Sequence, residues 1–310
     1  MKITPKISKI LEHYDHETPA VRKNLAQILM HGKLAGTGKL VILPVDQGFE
    51  HGPARSFAAN PPAYDPLYHW NLAINAKLSA FAAPLGLLES GAHKLNAEIP
   101  TILKINSSNT VGKTQDQSLN ASPKDALRLG ANAIGLTIYP GADNSLEMYE
   151  ETKDNIAEAR ALGLPAVVWS YPRGGPLSKE GETALDSVAY GTHIAALLGA
   201  HIIKVKPPTQ HLENPDAKKV YESRGIPRDT LAQRVAHIRE AAFNGKRIVV
   251  FSGGASTGDN DLLAQVQELH KGGANGSIIG RNSFQRPQKD ALDLLARIIA
   301  IYRSPENETP

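Results

Sequence analysis

Hydrophobic residues in this chain occur as short runs rich in Val and Ile, each followed by Gly, Pro, Asn or Ser and then by a longer stretch of helical periodicity. Alternation of nearly continuous apolar runs with helices is typical of βα units in a parallel sheet. Eight runs fit the pattern of a strand followed by a helix. This number predicts an α/β fold and favours a closed (β/α)8 TIM barrel. The predicted strands are Leu40–Val45, Ala80–Pro84, Thr101–Ile105, Ala133–Ile138, Ala166–Tyr171, Ile202–Lys206, Arg247–Phe251 and Gly276–Ile279.

Helices between these strands have recognisable starts and spacings. Ser122–Leu129 begins with Ser-Pro, and Ala184–Leu198 repeats Ala and Leu at intervals of three and four residues,. Periodicity alone does not show that a sheet closes, so a doubly wound open sheet remains the alternative. Long loops are expected at Phe57–Pro66 and Pro207–Pro227, after the first and sixth strands, on the face of a barrel where active sites form,.

The chain divides into three predicted parts. Residues 1–38 form an N-terminal extension, helical around Val21–His31; residues 39–303 form the barrel; residues 304–310 form a polar, flexible tail. A barrel typically takes about 250 residues, so one barrel with extensions fits the 310 residues of the chain,.

Composition narrows the function classes without choosing one. The net charge of +3 arises from 34 basic and 31 acidic residues interspersed along the chain, so nucleic acid is not an expected partner,. The absence of Cys excludes disulfides, thiolate nucleophiles and Cys-ligated zinc, and makes a cytoplasmic enzyme the default,. Neither a signal peptide nor an apolar stretch long enough for a membrane span is expected.

Two lysines stand in the sixth predicted strand. A period of two places Lys204 and Lys206 on the inward face, with Ile203 and Val205 packing outward,. Burial and a second cation nearby both disfavour protonation, so the pKa of one lysine is expected to be lowered, as Schiff-base chemistry requires. Spacing does not choose between the two lysines, and it leaves open that one reaches solvent while the other pairs with a carboxylate.

The fifth predicted strand ends in Trp169, Ser170 and Tyr171, and continues into Pro-Arg-Gly-Gly. Alternation puts Trp169 and Tyr171 on one face, where the phenol can act as an acid or base and the indole can form an apolar wall. Two aromatic residues that merely fill the core are the alternative, and the polar continuation favours a site.

The first predicted strand runs into Asp46, Gln47, Gly48, Phe49, Glu50 and His51. Asp46 is placed to meet Lys204 across the barrel mouth. Asp46, Glu50 and His51 could instead bind a divalent metal, but one histidine and two carboxylates at irregular spacing are a weak zinc signature.

Glycine-rich turns follow the last two predicted strands, at Ser252-Gly253-Gly254 and at Gly280-Arg281. A phosphate site built from the loops after strands seven and eight recurs in barrels, and Arg281 adds bidentate charge. Lys104, at the end of the third strand, is expected to bind a second phosphate or to pair with Asp46.

Together these motifs resemble the archaeal-type class I fructose-bisphosphate aldolase family, which is also found in bacteria, from about Gly36 to Tyr302. The resemblance rests on Leu-Pro-Val-Asp-Gln-Gly-Phe-Glu-His-Gly at 43–52, Trp-Ser-Tyr-Pro-Arg-Gly at 169–174, Gly-Ala-His-Ile-Ile-Lys-Val-Lys at 199–206, Ser-Gly-Gly at 252–254 and Gly-Arg-Asn at 280–282.

The resemblance implies a role for each motif residue and chooses Lys204 as the Schiff-base lysine. It implies Tyr171 as acid and base, with Asp46 assisting and Trp169 beside them. Substrate-binding residues would be Ser252, Gly253, Gly254, Gly280 and Arg281 for one phosphate, Arg173 and Lys104 for the other, with Lys206 and His51 added. It also implies a sugar-phosphate substrate, no cofactor or metal, and a homo-oligomer, often a ring of ten.

Three other functions remain open on the sequence. A transaldolase-like enzyme would keep the lysine but act on another phosphorylated sugar or ketone. A metal-dependent lyase or hydrolase would use Asp46, Glu50 and His51. A non-catalytic sugar-phosphate-binding protein would keep only the phosphate turns, and kinship at the level of the fold does not choose among these.

Overall fold

Eight parallel strands close into a barrel in a computed structural model that describes residues 2–111, 116–253 and 258–305. Around the barrel the order is β1, β10, β9, β8, β7, β6, β3, β2, and β4 and β5 form a separate antiparallel pair. The (β/α)8 prediction is therefore confirmed, and each predicted strand differs from the observed one by at most one residue at either end. The strands are β1 Leu40–Pro44, β2 Ala80–Pro84, β3 Thr101–Lys104, β4 Asn106–Ser107, β5 Ser118–Leu119, β6 Ala133–Ile138, β7 Ala166–Ser170, β8 Ile202–Val205, β9 Ile248–Ser252 and β10 Gly276–Ile278.

Helices surround the barrel and precede it. Short 3-10 helices lie at Gly32–Leu34, Pro61–Tyr64 and Gly181–Thr183. The α-helices are α1 Pro5–Glu12, α2 Pro19–Leu29, α3 Gln47–His51, α4 Pro53–Phe57, α5 Pro66–Asn75, α6 Leu85–Glu89, α7 Ala92–Leu95, α8 Pro123–Leu129, α9 Ser145–Ala161, α10 Leu185–Leu197, α11 Pro215–Ser223, α12 Leu231–Ala241, α13 Asp259–Lys271, α14 Arg281–Phe284 and α15 Gln288–Arg303.

The strand alternation divides the core into two layers. Along β8, Ile202 belongs to the cluster inside the barrel, whereas Ile203 and Val205 belong to the cluster between the strands and the outer helices. Lys204 consequently points inward, as the period of two predicts.

The N-terminal helices close the amino end of the barrel. Ile7 and Leu11 of α1 and Leu25 of α2 pack in the same cluster as the inward side chains of the strands. Each of these helices begins at a Thr-Pro pair, and the threonine side chain accepts a backbone N–H of the first turn,. The opposite end of the barrel, at the carboxyl ends of the strands, is not covered by these helices.

Two predicted loops contain helical structure. The segment Pro207–Pro227 carries α11, which begins where the Asn214 side chain accepts the N–H groups of the first turn. The segment Phe57–Pro66 carries a 3-10 helix. Within the described ranges, every helix is too short or too polar to span a lipid bilayer.

Candidate active site

A cavity of about 540 Å³ opens at the carboxyl ends of the barrel strands. It collects side chains from seven of the eight barrel strands and from the loops that follow them. Gly254, which the sequence assigns to a phosphate turn, lies outside the described residues. The predicted site residues that line the cavity are Asp46, His51, Lys104, Trp169, Tyr171, Arg173, Lys204, Lys206, Ser252, Gly253, Gly280 and Arg281.

Lys204 is buried at the bottom of this cavity, with 5% of its surface exposed. Its ammonium nitrogen lies 5.3 Å from the centroid of Trp169 and 5.5 Å from that of Tyr171. Burial, followed by the charges of Lys104 and Arg281, lowers the pKa of Lys204 to about 8, against the opposing charges of Asp46 and Glu50. A pKa of 8 instead of 10.5 increases the neutral fraction at pH 7 roughly 300-fold, so the amine is available as a nucleophile,.

The neighbouring cation is Lys104 rather than Lys206, which corrects the expectation from spacing. The Lys104 nitrogen lies 5.7 Å from the same Trp169 centroid, and burial lowers its own pKa to about 8. Lys206 lies just beyond β8, and its nitrogen pairs with Glu182 at 3.3 Å. The chain is leaving the barrel at Lys206, so its ammonium is drawn to the loop.

Asn106 holds Lys104 in place. The Lys104 ammonium donates to the Asn106 carbonyl and to its Oδ1 atom, the latter at 2.8 Å. Asn106 is fixed in turn by Thr137 on β6, since the Thr137 N–H donates to Oδ1 at 2.7 Å and the Asn106 amide donates to the Thr137 carbonyl at 2.9 Å. The Lys104 side chain therefore reaches the cavity floor in one orientation.

Tyr171 stands between Lys204 and an ion pair at the cavity wall. Arg173 lies over the Tyr171 ring at 5.6 Å and contacts Glu50 and the Tyr139 hydroxyl, both at 3.4 Å. Burial, then the charges of Asp46 and Glu50, raise the pKa of Tyr171 well above its usual value. The phenol thus stays protonated at neutral pH and can donate a proton.

The turn after β1 brings two carboxylates to the mouth. Asp46 precedes α3 and its charge raises the pKa of both Lys104 and Lys204. Glu50 lies between Arg173 and His51, whose Nε2 is 3.7 Å from its carboxylate. In the part of the chain that the structure describes, no three His, Asp or Glu side chains gather as metal ligands.

The opposite wall carries the glycine-rich turns that the sequence predicts to bind phosphate. Ser252 ends β9, Gly253 follows it, and the Asn282 amide donates to the Gly253 carbonyl at 3.2 Å. Gly280 precedes Arg281 where β10 leads into α14, and a Cβ at Gly280 would lie 2.9 Å from the Pro44 carbonyl. The glycine thus lets two neighbouring barrel turns approach each other, with the Arg281 side chain beside them at the cavity.

A family model described as DeoC/LacD family aldolase matches residues 40–286, which span the barrel from β1 to α14. The chain belongs to this aldolase family. The resemblance identified in the sequence motifs is thereby confirmed.

Relatives of this aldolase cover nearly its whole length. A relative from Thermoproteus tenax, named fructose-bisphosphate aldolase class 1, is 38% identical over 269 residues, covering 86% of this chain and 90% of the relative. One from Chlamydia muridarum, named probable fructose-bisphosphate aldolase class 1, is 35% identical over 315 residues, covering 96% and 89%.

A solved structure is also similar to the barrel. It is an archaeal fructose-1,6-bisphosphate aldolase with its catalytic lysine covalently bound to the carbinolamine intermediate of the substrate, and its TM-score is 0.74 at 32% identity. The similarity covers 90% of this chain and 98% of that one.

Several cavity residues of the aldolase escape sequence reasoning. Tyr139 directly follows β6 and Lys179 comes from the loop after β7, and both line the cavity. Gly135 in β6 makes room for the indole, because a Cβ there would lie 2.5 Å from Trp169. A polar residue at the end of the fourth barrel strand is the sign that points to Tyr139.

Proposed function

We propose that this aldolase cleaves fructose 1,6-bisphosphate reversibly to dihydroxyacetone phosphate and glyceraldehyde 3-phosphate through a Schiff base on Lys204. The observation that carries the proposal is a buried lysine with its pKa lowered to about 8, facing Tyr171 across a cavity whose rim holds arginines on two sides. The relatives named fructose-bisphosphate aldolase class 1 support the same substrate.

The proposed reaction begins with imine formation. The neutral Lys204 amine attacks the C2 carbonyl to give a carbinolamine, which takes up one proton from solvent as its hydroxyl leaves as water, and the product is a protonated imine. Asp46 takes the proton of the C4 hydroxyl as the C3–C4 bond breaks, and the bonding electron pair moves into the imine to form an enamine. Glyceraldehyde 3-phosphate leaves, Tyr171 protonates the enamine carbon, and water releases dihydroxyacetone phosphate from the lysine.

Trp169 serves this chemistry in two ways. Its ring covers the apolar side of the cavity beneath both lysines. Its indole N–H is buried and has no acceptor among the described residues, so a substrate oxygen can accept it,. A buried donor that lacks an acceptor is costly, so pairing the indole N–H with a substrate oxygen contributes to affinity.

We assign the two phosphates to opposite sides of the mouth. Ser252, Gly253, Gly280 and Arg281 would hold the phosphate of the dihydroxyacetone half, and Arg173 with Lys206 would meet the other. His51 lies near Arg281 and Arg55, whose charges help burial to lower its pKa, so we assign it a neutral hydrogen-bonding role.

Lys104 has a different proposed role. Lys104 is 2% exposed as a residue and its ammonium already donates to Asn106, which argues against its use as a phosphate ligand. We assign it to keeping Lys204 unprotonated by its charge.

A coupled cleavage assay in EDTA tests this function, together with mass spectrometry after borohydride is added with dihydroxyacetone phosphate. We expect turnover of fructose 1,6-bisphosphate and a reduced adduct on Lys204. An adduct with faster turnover of a shorter or deoxy sugar phosphate would favour the transaldolase-like alternative. Activity lost in EDTA and restored by zinc would favour a metal enzyme, and ligand binding without turnover, unaffected by Lys204→Met, would favour a binding protein.

The setting of the enzyme is proposed on the same basis. We propose a cytoplasmic homo-oligomer, with a ring of ten as the form to look for, that acts on sugar phosphates. Mass photometry of the full chain would measure the assembly directly.

A further inference from the structure

Tyr139 and Arg173 lie on neighbouring loops at the mouth of the cavity. Tyr139 directly follows β6, and Arg173 is the third residue after β7. The Arg173 guanidinium carbon lies 5.1 Å from the centroid of the Tyr139 ring, and the Arg173 Nη1 atom donates to the Tyr139 hydroxyl at 3.4 Å. An aromatic face attracts a guanidinium, so both the ring and the hydroxyl of this tyrosine restrain the arginine.

The backbone joins the two loops at the same place. The Arg173 N–H donates to the carbonyl of Pro140, the residue after Tyr139, at 3.0 Å. Gly175 has a φ of +55°, and a Cβ there would collide with the Gly141 carbonyl,. The loop after β7 therefore lies directly against the loop after β6, and the base of the Arg173 side chain is fixed relative to Tyr139.

Tyr139 is itself held firmly. Only 2% of its surface is exposed, and its ring packs in a small cluster with Met148. Burial raises the pKa of Tyr139, and the charge of Arg173 and hydrogen bonds with the side chains of Ser108 and Gln117 act against that rise. The phenol stays neutral at physiological pH, and its fixed ring gives the arginine a rigid support.

Glu50 and Tyr171 also contact the guanidinium of Arg173. The Glu50 Oε1 atom is 3.4 Å from Nη1, and the Tyr171 centroid is 5.6 Å from the guanidinium carbon. A carboxylate competes with a phosphate for the same guanidinium because both are anions, and Tyr171 is already assigned to proton transfer. The neutral Tyr139 hydroxyl can keep its contact while a phosphate is bound.

We infer that Tyr139 is a positioning residue that holds the Arg173 guanidinium in place for the phosphate of glyceraldehyde 3-phosphate. The inference rests on the proposed function, in which Arg173 meets that phosphate. A guanidinium has five N–H donors, so its contact with the phenol leaves others for the phosphate. An arginine held in place beforehand loses less side-chain entropy on binding, so Tyr139 increases the preference for a phosphorylated acceptor.

Aldol synthesis from dihydroxyacetone phosphate tests this role, with glyceraldehyde 3-phosphate and unphosphorylated glyceraldehyde compared as acceptors. The ratio of their kcat/KM values is the phosphate preference. Tyr139→Phe removes the hydroxyl and keeps the ring. Tyr302→Phe is the matched control, because Tyr302 of α15 is also 2% exposed and bonds Ser277 through its hydroxyl at 2.6 Å, but does not line the cavity.

We expect the phosphate preference to fall about threefold to tenfold in Tyr139→Phe, which is the effect of losing one hydrogen bond, mainly through a higher KM for glyceraldehyde 3-phosphate. Tyr302→Phe should keep the wild-type preference. In an Arg173→Gln background, Tyr139→Phe should lower the preference no further, because Tyr139 acts through Arg173. A wild-type preference in Tyr139→Phe, or an equal fall with and without Arg173, would overturn the inference.

Calorimetric binding of the two acceptors to Lys204→Met separates this inference from the proposed function. This variant forms no imine, so its preference is measured without turnover. If the wild type shows no aldol turnover but adding Tyr139→Phe to Lys204→Met weakens binding of glyceraldehyde 3-phosphate alone, the proposed function fails and the positioning role stands. Equal binding of both acceptors to Lys204→Met would overturn the positioning role, whatever the turnover.

Discussion

The ammonium groups of Lys104 and Lys204 lie over the same indole ring, 5.7 and 5.3 Å from the centroid of Trp169. Two buried cations that share one ring cannot both stay charged without cost. The pKa of each lysine is lowered to about 8, and for both the first cause is burial. The charge of Lys104 then adds to the lowering at Lys204.

Replacing Lys104 with Met should raise the pKa of Lys204, because a neighbouring positive charge is removed while the side-chain volume is kept. A shift of up to about one unit corresponds to about 1.4 kcal/mol. The measurement is the pH dependence of borohydride-trapped adduct formation with dihydroxyacetone phosphate. Lys206→Met is the matched control, since Lys206 pairs with Glu182 and should leave the pH midpoint in place. Equal midpoints for Lys104→Met and the wild type would contradict the assignment.

In the wild type, the rate of imine formation should rise with pH and level off above about 8. The neutral amine is the nucleophile, so the rate increases as Lys204 loses its proton around its pKa of about 8,. The pKa of Tyr171 is raised well above its usual value, so no falling limb from this phenol should appear below about pH 10,. Single-turnover kinetics from pH 6 to 10 measure both features, and a bell-shaped profile centred near neutral pH would argue against these roles.

Tyr171→Phe should separate imine formation from the steps that follow. The phenyl ring keeps the contact with Lys204, whereas the proton donor is lost, and general acid catalysis contributes roughly 10²–10⁴-fold. We expect the trapped adduct to persist while turnover falls by about that factor. Exchange of the C3 proton of dihydroxyacetone phosphate with solvent deuterium, followed by NMR, should fall in parallel. Undiminished exchange would assign the proton to another group.

The direction of Lys204 was predictable because alternation along a strand is a rigid consequence of backbone geometry. The choice of Lys204 over Lys206 needed the family motif, and the structure adds that the Lys206 ammonium, beyond the end of β8, pairs with Glu182 at 3.3 Å. The partnership with Lys104 was not predictable, since it depends on Asn106 and its bonds to β6, a strand that pairs with β3 only in the folded barrel.

The helix α11 illustrates a different limit. Its start was visible in the sequence, where Asn214 and Pro215 form a capping pair before a run of helix-forming residues,. Asp186, on α10, fixes the same segment by accepting the N–H groups of Glu213 and Asn214, a contact between residues distant in sequence that no local pattern shows.

Arg281→Gln and Arg173→Gln should distinguish the two phosphates. Losing a charge-assisted hydrogen bond costs about 1.5–3 kcal/mol, or roughly 10- to 150-fold in affinity. Arg281→Gln should weaken the binding of dihydroxyacetone phosphate by about this factor. Arg173→Gln should mainly weaken the binding of glyceraldehyde 3-phosphate in the synthesis direction. Initial rates with each substrate varied in turn measure the effect. If both variants weaken the same substrate, the two phosphate assignments are wrong.

The barrel's amino end carries an ion-pair cluster that should make stability depend on pH. Glu17 pairs with Arg160 at 2.8 Å and with the Nε2 of His201 at 3.1 Å, while His201 Nδ1 accepts the Ala166 N–H at 3.0 Å. The side chains of Glu17 and His201 are buried, with 5% and 1% of their surfaces exposed, whereas Arg160 is partly exposed. Removing one member leaves the other polar groups without full compensation, which costs about 1–3 kcal/mol.

Lowering the pH should destabilise the folded chain through two members of this cluster, His201 and Glu17. Burial lowers the pKa of His201 from 6.5, so below 6.5 the unfolded chain binds a proton that the native imidazole does not, and stability falls,. Burial opposes ionisation of Glu17, but the hydrogen bond and charge of His201 outweigh it and lower the Glu17 pKa from 4.5, so its contribution is lost as the pH falls below that value,.

Glu17→Gln should therefore unfold at a lower temperature than the wild type at pH 7, and the gap should narrow as the pH falls below about 4.5. At low pH the wild-type carboxyl is itself neutral, so the two chains become alike. Unfolding midpoints from pH 3.5 to 8 measure the gap. The matched control is Glu180→Gln, because Glu180 is 70% exposed and should leave the midpoint nearly unchanged,. A gap that stays constant over the whole range would show that the loss at Glu17 comes from packing and not from its charge.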